Sequence, residues 1–168
     1  MNTTIVADSP FKGSKWTARI LGNWQLSPSV HLQSGAALNI LSGKDNSLSA
    51  ENLDRVDAVS GVSPYSANWV PQLQMLNPAA FISNPTGTFG TLGRDVIRGP
   101  GTVTVNTSLV RFFHITERYR LETRFEAFNA INHSNFSNPA VTFTSATFGR
   151  ITAAGDPRIL QFALKLHF

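Results

Sequence analysis

The chain has 168 residues, enough for one domain with a sizeable core, and 42% of them are hydrophobic whereas only 14% are charged. Soluble domains are typically about a quarter charged, so this chain must shelter much apolar surface, either in a protein core or in lipid. The 14 basic residues behind the net charge of +4 are scattered, which excludes the basic cluster that nucleic-acid binding needs, and the absence of cysteine excludes disulfides and thiolate metal sites.

Two strands are predicted near the N-terminus, at about 15–26 and 29–41, because apolar and polar residues alternate there with a period of two. Residues 27–29, Ser-Pro-Ser, predict a tight turn between them. Each strand is long enough to cross a bilayer at a tilt, which takes about 9–11 residues. Trp16 and Trp24 lie at opposite ends of one face of the first strand, where a membrane barrel carries its interface aromatics. Packing in a protein core is the alternative for these two side chains.

A long connection follows at about 42–101, rich in Gly, Pro, Ser and Asn. Its residues 58–93 carry no acidic or basic side chain. Loops longer than about 12–15 residues are uncommon in compact soluble domains. They are normal on one side of outer-membrane barrels, where long outer loops alternate with short periplasmic turns. The length of this connection therefore favours a membrane barrel.

Two further strands are predicted at about 102–113 and 118–129, joined by a short turn at 114–117. One face of the second strand is apolar, and the other carries alternating charges at Arg120, Glu122, Arg124 and Glu126. In a barrel this charge ladder faces the lumen, where a plug or a substrate could contact it. We favour a structural interpretation, in which cross-strand charge pairing sets the register. A second outer loop is predicted at about 130–157.

The last predicted strand, at about 158–168, has an apolar residue at every second position: Leu160, Phe162, Leu164, Leu166 and Phe168. The terminal residues of soluble proteins usually fray, so a regular strand that ends in an aromatic residue indicates a function at that end. Together these elements predict an all-β fold, an antiparallel meander of about five long strands with long outer loops. In a membrane such strands need a closed barrel to pair their backbone groups, whereas in water they would form a sandwich.

Five segments carry a family resemblance and occur in this order: Gly-Thr-Phe-Gly-Thr-Leu-Gly-Arg at 87–94, Arg-Gly-Pro-Gly at 98–101, Arg-Phe-Glu-Ala-Phe-Asn-Ala-Ile-Asn-His-Ser-Asn-Phe at 124–136, Phe-Gly-Arg-Ile-Thr at 148–152, and the final stretch 155–168. Together they resemble the C-terminal end of TonB-dependent receptors. The most similar type is the Oar-like receptor, which has a carboxypeptidase-regulatory-like domain at its N-terminus. The resemblance covers residues 85–168 well and 11–41 loosely.

The resemblance implies that the whole chain, 1–168, is the C-terminal part of a plugged transmembrane barrel of about 22 strands. Such receptors lie in the outer membrane of Gram-negative bacteria and import nutrients with energy passed through TonB. The last strand then resembles the signal that the barrel assembly machinery reads. The expected partners are outer-membrane lipid, that machinery, the remaining strands and plug of the full-length receptor, and TonB through that receptor. No nucleic acid is expected.

The chain departs from the family because the plug, the TonB box and most strands are missing. We therefore expect a fragment or a truncated reading frame that is incomplete as a transporter by itself. The N-terminal residues 1–8 also lack the basic and apolar regions of a signal peptide. No run of about 18 apolar residues predicts a transmembrane helix.

No catalytic and no metal site is predicted. The four histidines lie far apart, without the spacing of a metal motif, and no serine lies in a Gly-x-Ser-x-Gly motif. Gly87, Gly90 and Gly93 lack the strand-and-helix context of a dinucleotide site. We therefore expect no cofactor and no enzymatic activity. The alternative function is a soluble or surface-attached β-sandwich that binds glycans through the loop at 42–101.

Overall fold

The computed structural model describes residues 1–11, 16–51 and 53–168. The regular secondary structure is almost entirely β-strand, as predicted, and the elements are β1 (Asn2–Thr4), β2 (Ala7–Asp8), helix α1 (Trp16–Leu21), β3 (Trp24–Gln33), β4 (Ala37–Leu38), β5 (Asp57–Ala58), a 3-10 helix (Pro78–Ala80), β6 (Phe81–Ile82), β7 (Ile97–Arg98), β8 (Thr102–His114), β9 (Arg120–Phe128) and β10 (Ile159–His167). Within the described ranges, no helix has the length and apolar content needed to span a bilayer.

The chain forms two compact units. The sheet unit comprises Met1–Gln33, Thr102–Asn135 and Asp156–Phe168, and the loop unit comprises Ser34–Gly101 and Phe136–Gly155. The sheet has the strand order β1-β3-β8-β9-β10, with β2 also paired to β3, and each pairing is antiparallel. Strands β8, β9 and β10 lie where the sequence predicts strands at 102–113, 118–129 and 158–168, within two residues at each end.

The register gives the sheet two chemically different faces, because residues directly opposite each other point to the same side. One row across four strands is entirely apolar: Leu26, Leu109, Phe125 and Phe162. The next row along the strands lies on the opposite face and is mainly polar: Ser27, Ser108, Glu126 and Gln161. The apolar residues of neighbouring strands therefore lie on one face of the sheet, and the polar residues lie on the other.

The apolar face of the sheet is exposed. On β10, Phe162 is 64% exposed and Leu164 is 61% exposed. Of the hydrophobic residues that are buried in the described part of the chain, only Val110 and Ala127 belong to the sheet unit. The sheet unit thus has almost no hydrophobic core of its own, which is the pattern of strands that face lipid.

The predicted first strand at 15–26 is wrong at residues 16–21, and its residue 15 lies outside the described residues. Residues Trp16–Leu21 form helix α1, and the strand β3 begins only at Trp24. Asn23 separates them with a φ of 62°, in the left-handed region, which an extended strand cannot contain. The alternating apolar residues that suggested a strand also include Trp16 and Ile20, which are four positions apart as on one face of a helix.

The predicted turn at residues 27–29 is also wrong, because β3 runs straight through Pro28. The carbonyl oxygen of Pro28 accepts a hydrogen bond from the Ile5 N–H at 3.0 Å, so the proline nitrogen faces the same edge. That edge is interrupted here, since β1 pairs with Ser29–His31 and β2 pairs with Gln25–Leu26. Proline is tolerated because no ladder donor is required at the gap.

The predicted second strand at 29–41 ends early, and its last residues belong to the loop unit. Strand β3 stops at Gln33, and Ala37–Leu38 forms β4, which pairs with β7. Leu38 and Ile40 are buried, Ile40 completely. These two residues do alternate with polar ones, but their side chains lie in a protein core. A hydrophobic period of two cannot distinguish burial in a core from contact with lipid.

The loop unit has a compact hydrophobic core, although the sequence predicts only long loops there. Its buried members are Leu38, Ile40, Val56, Leu76, Ala80, Phe81, Leu92, Ile97 and Phe148. The Phe148 ring packs edge-on against Phe81 and Phe143, with centroid distances of 5.6 and 5.1 Å. Phe143 and Phe148 come from the second predicted loop, Leu38 and Ile40 come from the end of the predicted strand 29–41, and the other members come from the first predicted loop. The two long connections therefore fold together around one core.

Candidate functional site

The charge ladder of β9 lies on the polar face of the sheet. The Arg124 Nη2 atom lies 2.8 Å from Glu122 Oε1, and Arg124 Nη1 lies 3.6 Å from Glu126 Oε1. Glu122 is only 8% exposed, and its second carboxylate oxygen lies 3.0 Å from His167 Nε2 on β10. The arrangement is a chain of paired charges centred on a buried glutamate.

The prediction that this pairing runs across strands is mostly wrong. Both arginine–glutamate pairs lie within β9, and only the contact between Glu122 and His167 joins two strands. The register explains this, because it places the uncharged Val110 and Ala163 directly opposite Arg124. Arg124 therefore reaches along its own strand to find carboxylates.

The remaining ladder residue, Arg120, stacks rather than forming an ion pair with a described carboxylate. Its guanidinium carbon lies 5.0 Å from the centre of the Phe112 ring on β8. Next to the ladder, a shallow hollow of about 260 Å³ is lined by Glu122, Arg124, Ala163 and Lys165. The polar face therefore presents accessible charged side chains on that side of the sheet.

The predicted assembly signal lies mostly on the opposite, apolar face. Leu160, Phe162, Leu164 and Leu166 follow one another on the exposed side of β10, each more than half exposed. Phe168 comes directly after the last residue of the strand and is 85% exposed. These side chains form one accessible stripe along β10.

The two predicted interface aromatics occupy different elements. Trp24 begins β3, opposite Arg111, and the Arg111 guanidinium carbon lies 5.0 Å from the Trp24 ring centre and 4.4 Å from that of Phe113. Trp16 lies in helix α1, so the two tryptophans do not flank one strand face. Trp24, Arg111 and Phe113 form a cation–aromatic cluster at the end of the sheet where β8 turns into β9.

Three asparagines that the sequence analysis left without a role organise the end of β9. Asn129, buried and in the left-handed region, donates its side-chain amide to the carbonyls of His133 and Asp156 at 2.9 and 3.1 Å. Asn132 accepts a hydrogen bond from the Arg158 N–H at 3.0 Å. Asn135 pairs with the backbone N–H and carbonyl of Val103 and so continues the ladder beyond the end of β9. The repeated spacing of three in this motif was the signal that could have revealed them.

The loop unit contains one strongly hydrogen-bonded carboxylate. Asp54 accepts hydrogen bonds from the Ser47 backbone N–H at 2.6 Å and from the Ser47 hydroxyl at 2.8 Å. The bond from the Ser47 backbone is the main reason that the pKa of Asp54 lies below its usual value of 3.8. The ionised carboxylate therefore holds the turn at Ser47 in place.

Acidification is expected to loosen this turn. A carboxylate whose pKa is lower in the folded chain stabilises it fully above the unfolded value, and loses that contribution as the pH falls through the folded pKa. We expect amide exchange at residues 44–50, corrected for the intrinsic rate, to accelerate as the pH falls below 3.8. Asp54→Asn should exchange faster already at neutral pH and lose the acid step, whereas Glu51→Gln should keep it. An unchanged acid step in Asp54→Asn would contradict the assignment.

Across the described part of the chain, no three His, Cys, Asp or Glu side chains come close enough together to hold a metal ion.

The fold and its surfaces define a class: a segment of a transmembrane β-barrel, with one lipid-type face, one polar face, and long connections at one end of the sheet. A family model described as "Outer membrane beta barrel domain" matches residues 1–161. The chain belongs to this outer-membrane β-barrel family. No curated protein and no solved structure gives a significant match.

Proposed function

We propose that this chain is the C-terminal part of a TonB-dependent receptor that imports nutrients across the outer membrane of a Gram-negative bacterium. The single observation that carries the proposal is the exposed apolar face of one antiparallel sheet, backed by a charged polar face. Barrels of this kind have about eight or more strands, so the sheet formed here needs further strands to close. Transport would belong to the full-length receptor and not to this chain alone.

The loop asymmetry supports the same proposal. Gln33 and Thr102 are paired, as are Phe128 and Ile159, so both long connections leave the sheet at the same end. At the other end the connections are shorter: the segment 115–119 joins β8 to β9, and residues 9–23, of which 12–15 are not described, join β2 to β3. Receptor barrels carry long loops on the outer side and short turns on the periplasmic side. In this orientation both long connections leave the sheet on the outer side of the membrane.

The roles of the two faces follow from this orientation. Lipid covers the apolar face, whereas Glu122, Arg124 and their neighbours face the lumen, where the plug of the full-length receptor lies. The stripe from Leu160 to Leu166, with Phe168, would be recognised by the barrel assembly machinery. The chain would have no enzymatic activity and no nucleic-acid partner, and TonB would act through the plug of the full-length receptor.

The alternative is a soluble or surface-attached sandwich that binds glycans. A sandwich needs a second sheet to cover the apolar face. The exposed fractions of Phe162 and Leu164, 64% and 61%, disfavour it. The membrane interpretation explains the same exposure without any additional partner sheet.

The proposal is tested in the source cells with an antibody raised against residues 158–168, followed by fractionation and cross-linking to TonB. We expect a band much heavier than 18.3 kDa in the outer membrane, with a cross-link to TonB. A heavy outer-membrane band that never cross-links to TonB, under conditions in which a known receptor does, would contradict the receptor assignment. A soluble band of 18.3 kDa would overturn the membrane assignment and favour the binding module.

A further inference from the structure

The apolar face of the sheet carries one charged side chain, that of Arg111. The register places Arg111 directly opposite Trp24 and Thr123, and Thr123 lies opposite Leu164, so these residues form one row across β3, β8, β9 and β10. The row lies two residues from that of Leu26 and therefore on the same face. In these four strands, all of whose residues are described, every other side chain on this face is uncharged.

Arg111 lies close to one edge of the apolar face. Along β8 this face runs from Val103 to Phe113, which corresponds to about 33 Å along a strand and about 25 Å across a membrane at the tilt of barrel strands. The lipid-facing band of outer-membrane barrels has the same height. Arg111 is about 5 Å from the inner edge of that band, the edge where the segment 115–119 joins β8 to β9. An arginine on the lipid face is costly at the midplane and costs little near the interface, so this position suits it.

The two edges of the apolar face differ in chemistry. At the inner edge, Trp24 and Phe113 flank Arg111. At the outer edge, the outermost row of β3 and β8, Leu32 opposite Val103, is aliphatic. Aromatic side chains in membrane proteins prefer the level of the lipid headgroups. The inner edge therefore combines aromatic rings and a positive charge at headgroup level.

The two rings hold the guanidinium group of Arg111. Its central carbon lies 5.0 Å from the centre of the Trp24 ring and 4.4 Å from that of Phe113. The Trp24 ring is itself fixed, because its indole N–H donates to the Ile20 carbonyl at 3.0 Å. Phe113 is two residues nearer the inner edge, so its close contact with the guanidinium group directs the charge toward the headgroups. Stacking engages the flat faces of a guanidinium group, whereas its N–H donors lie in its plane.

A phospholipid has the chemistry that complements this site. Its phosphate group lies at headgroup level, and a guanidinium group binds phosphate through two parallel hydrogen bonds. Its acyl chains extend toward the midplane, where the next row of the face contains Leu26 and Leu109. Leu26 is 43% exposed and accessible to such a chain. A net negative headgroup complements the positive charge of Arg111 better than a zwitterionic one.

We propose that Arg111, held by Trp24 and Phe113, binds the phosphate group of an anionic phospholipid in the inner leaflet of the outer membrane, with the acyl chains lying over Leu26 and Leu109. The bound lipid fixes the depth of the sheet in the bilayer. The proposal uses the membrane barrel family and the orientation of the sheet, and it does not depend on a receptor function or on TonB.

The test is equilibrium gel filtration of the purified full chain in an uncharged detergent, on a column equilibrated with radiolabelled dioctanoyl phosphatidylglycerol. Dioctanoylglycerol has the same acyl chains without the phosphate and should bind about tenfold more weakly, as expected for losing one charge-assisted hydrogen bond. Inorganic phosphate should not displace the phospholipid, because it lacks the acyl chains.

Arg111→Gln should weaken binding of the phospholipid about tenfold and leave that of dioctanoylglycerol unchanged. The matched control is Arg120→Gln, because Arg120 also stacks on a ring, 5.0 Å from the centre of Phe112, but lies on the polar face. This control should bind the phospholipid like the unchanged protein. Arg111→Lys retains the charge but not the paired hydrogen bonds, and should lie between the unchanged protein and Arg111→Gln.

A second matched pair tests the aromatic contact. Phe113→Leu should weaken binding of the phospholipid about threefold, the loss expected for one cation–π contact, whereas Phe112→Leu on the polar face should have no effect. Equal affinity for the two lipids, equal losses in Arg111→Gln and Arg120→Gln, or displacement by inorganic phosphate would overturn the proposal. Equal effects of Phe113→Leu and Phe112→Leu would contradict the part assigned to the ring.

Discussion

Phe162→Arg is expected to reduce the fraction of the protein that resists carbonate extraction from the outer membrane. Phe162 lies in the middle of β10, on the apolar face, opposite Phe125. Placing an arginine on the lipid face of a barrel strand costs about 2–4 kcal/mol at the bilayer midplane. The cost arises because the guanidinium group loses its hydration and lipid chains offer no replacement.

The neighbouring residue provides a matched control for this prediction. Gln161→Arg introduces the same side chain one position away, on the polar face and opposite Glu126. We expect it to leave membrane integration close to that of the unchanged protein. If both variants were extracted to the same extent, the two faces would not differ in their surroundings, and the lipid assignment of the apolar face would be wrong.

Phe148→Ala is expected to unfold the loop unit while the sheet unit remains intact. Phe148 is 6% exposed and packs against two phenylalanine rings. Removing a buried phenylalanine side chain costs about 3–5 kcal/mol. Amide exchange at the buried positions Ile40, Val56 and Leu76 should therefore accelerate by about 100-fold or more.

Phe89→Ala is the control, because it removes the same side chain from a position that is 74% exposed. Exchange in the loop unit should then change little, since exposed substitutions usually cost under about 0.5 kcal/mol. Exchange in β9 and β10 should be unchanged in both variants. Equal acceleration in the two units after Phe148→Ala would show that they unfold as one, contrary to the separate core of the loop unit.

Three of the six strands of the sheet, β8, β9 and β10, were predictable from sequence because their pattern is regular. The alternation continues for nine residues or more in each, and the short turn between β8 and β9 leaves little choice of pairing for those two strands. Residues 16–24 show the limit of this argument. Five apolar or small residues at alternate positions suggested a strand, but the left-handed Asn23 divides a helix from β3.

The loop unit was not predictable in the same way, because its core is assembled from contacts between distant residues. The rings of Phe81 and Phe148 are in contact although the two residues lie far apart in the chain, in different connections. Its strands have two residues each, too few for any periodicity. The hydrogen bond between the Asn39 and Asp95 side chains has the same origin, since the two residues meet only after the chain has folded back. The position of the charge ladder in the sequence was evident, but its ion pairs were not. Whether an arginine pairs along its own strand or with the next strand depends on which residues lie opposite it.

The shared core of the two long connections limits how barrels of this design can diversify. Phe143 and Phe148 come from the second connection, whereas Leu76, Phe81 and Ile97 of the same core come from the first. If only one connection were replaced by that of a relative, the core residues of the other connection would lose the side chains against which they pack. Viable chimeras should therefore exchange residues 34–101 and 136–155 as a pair.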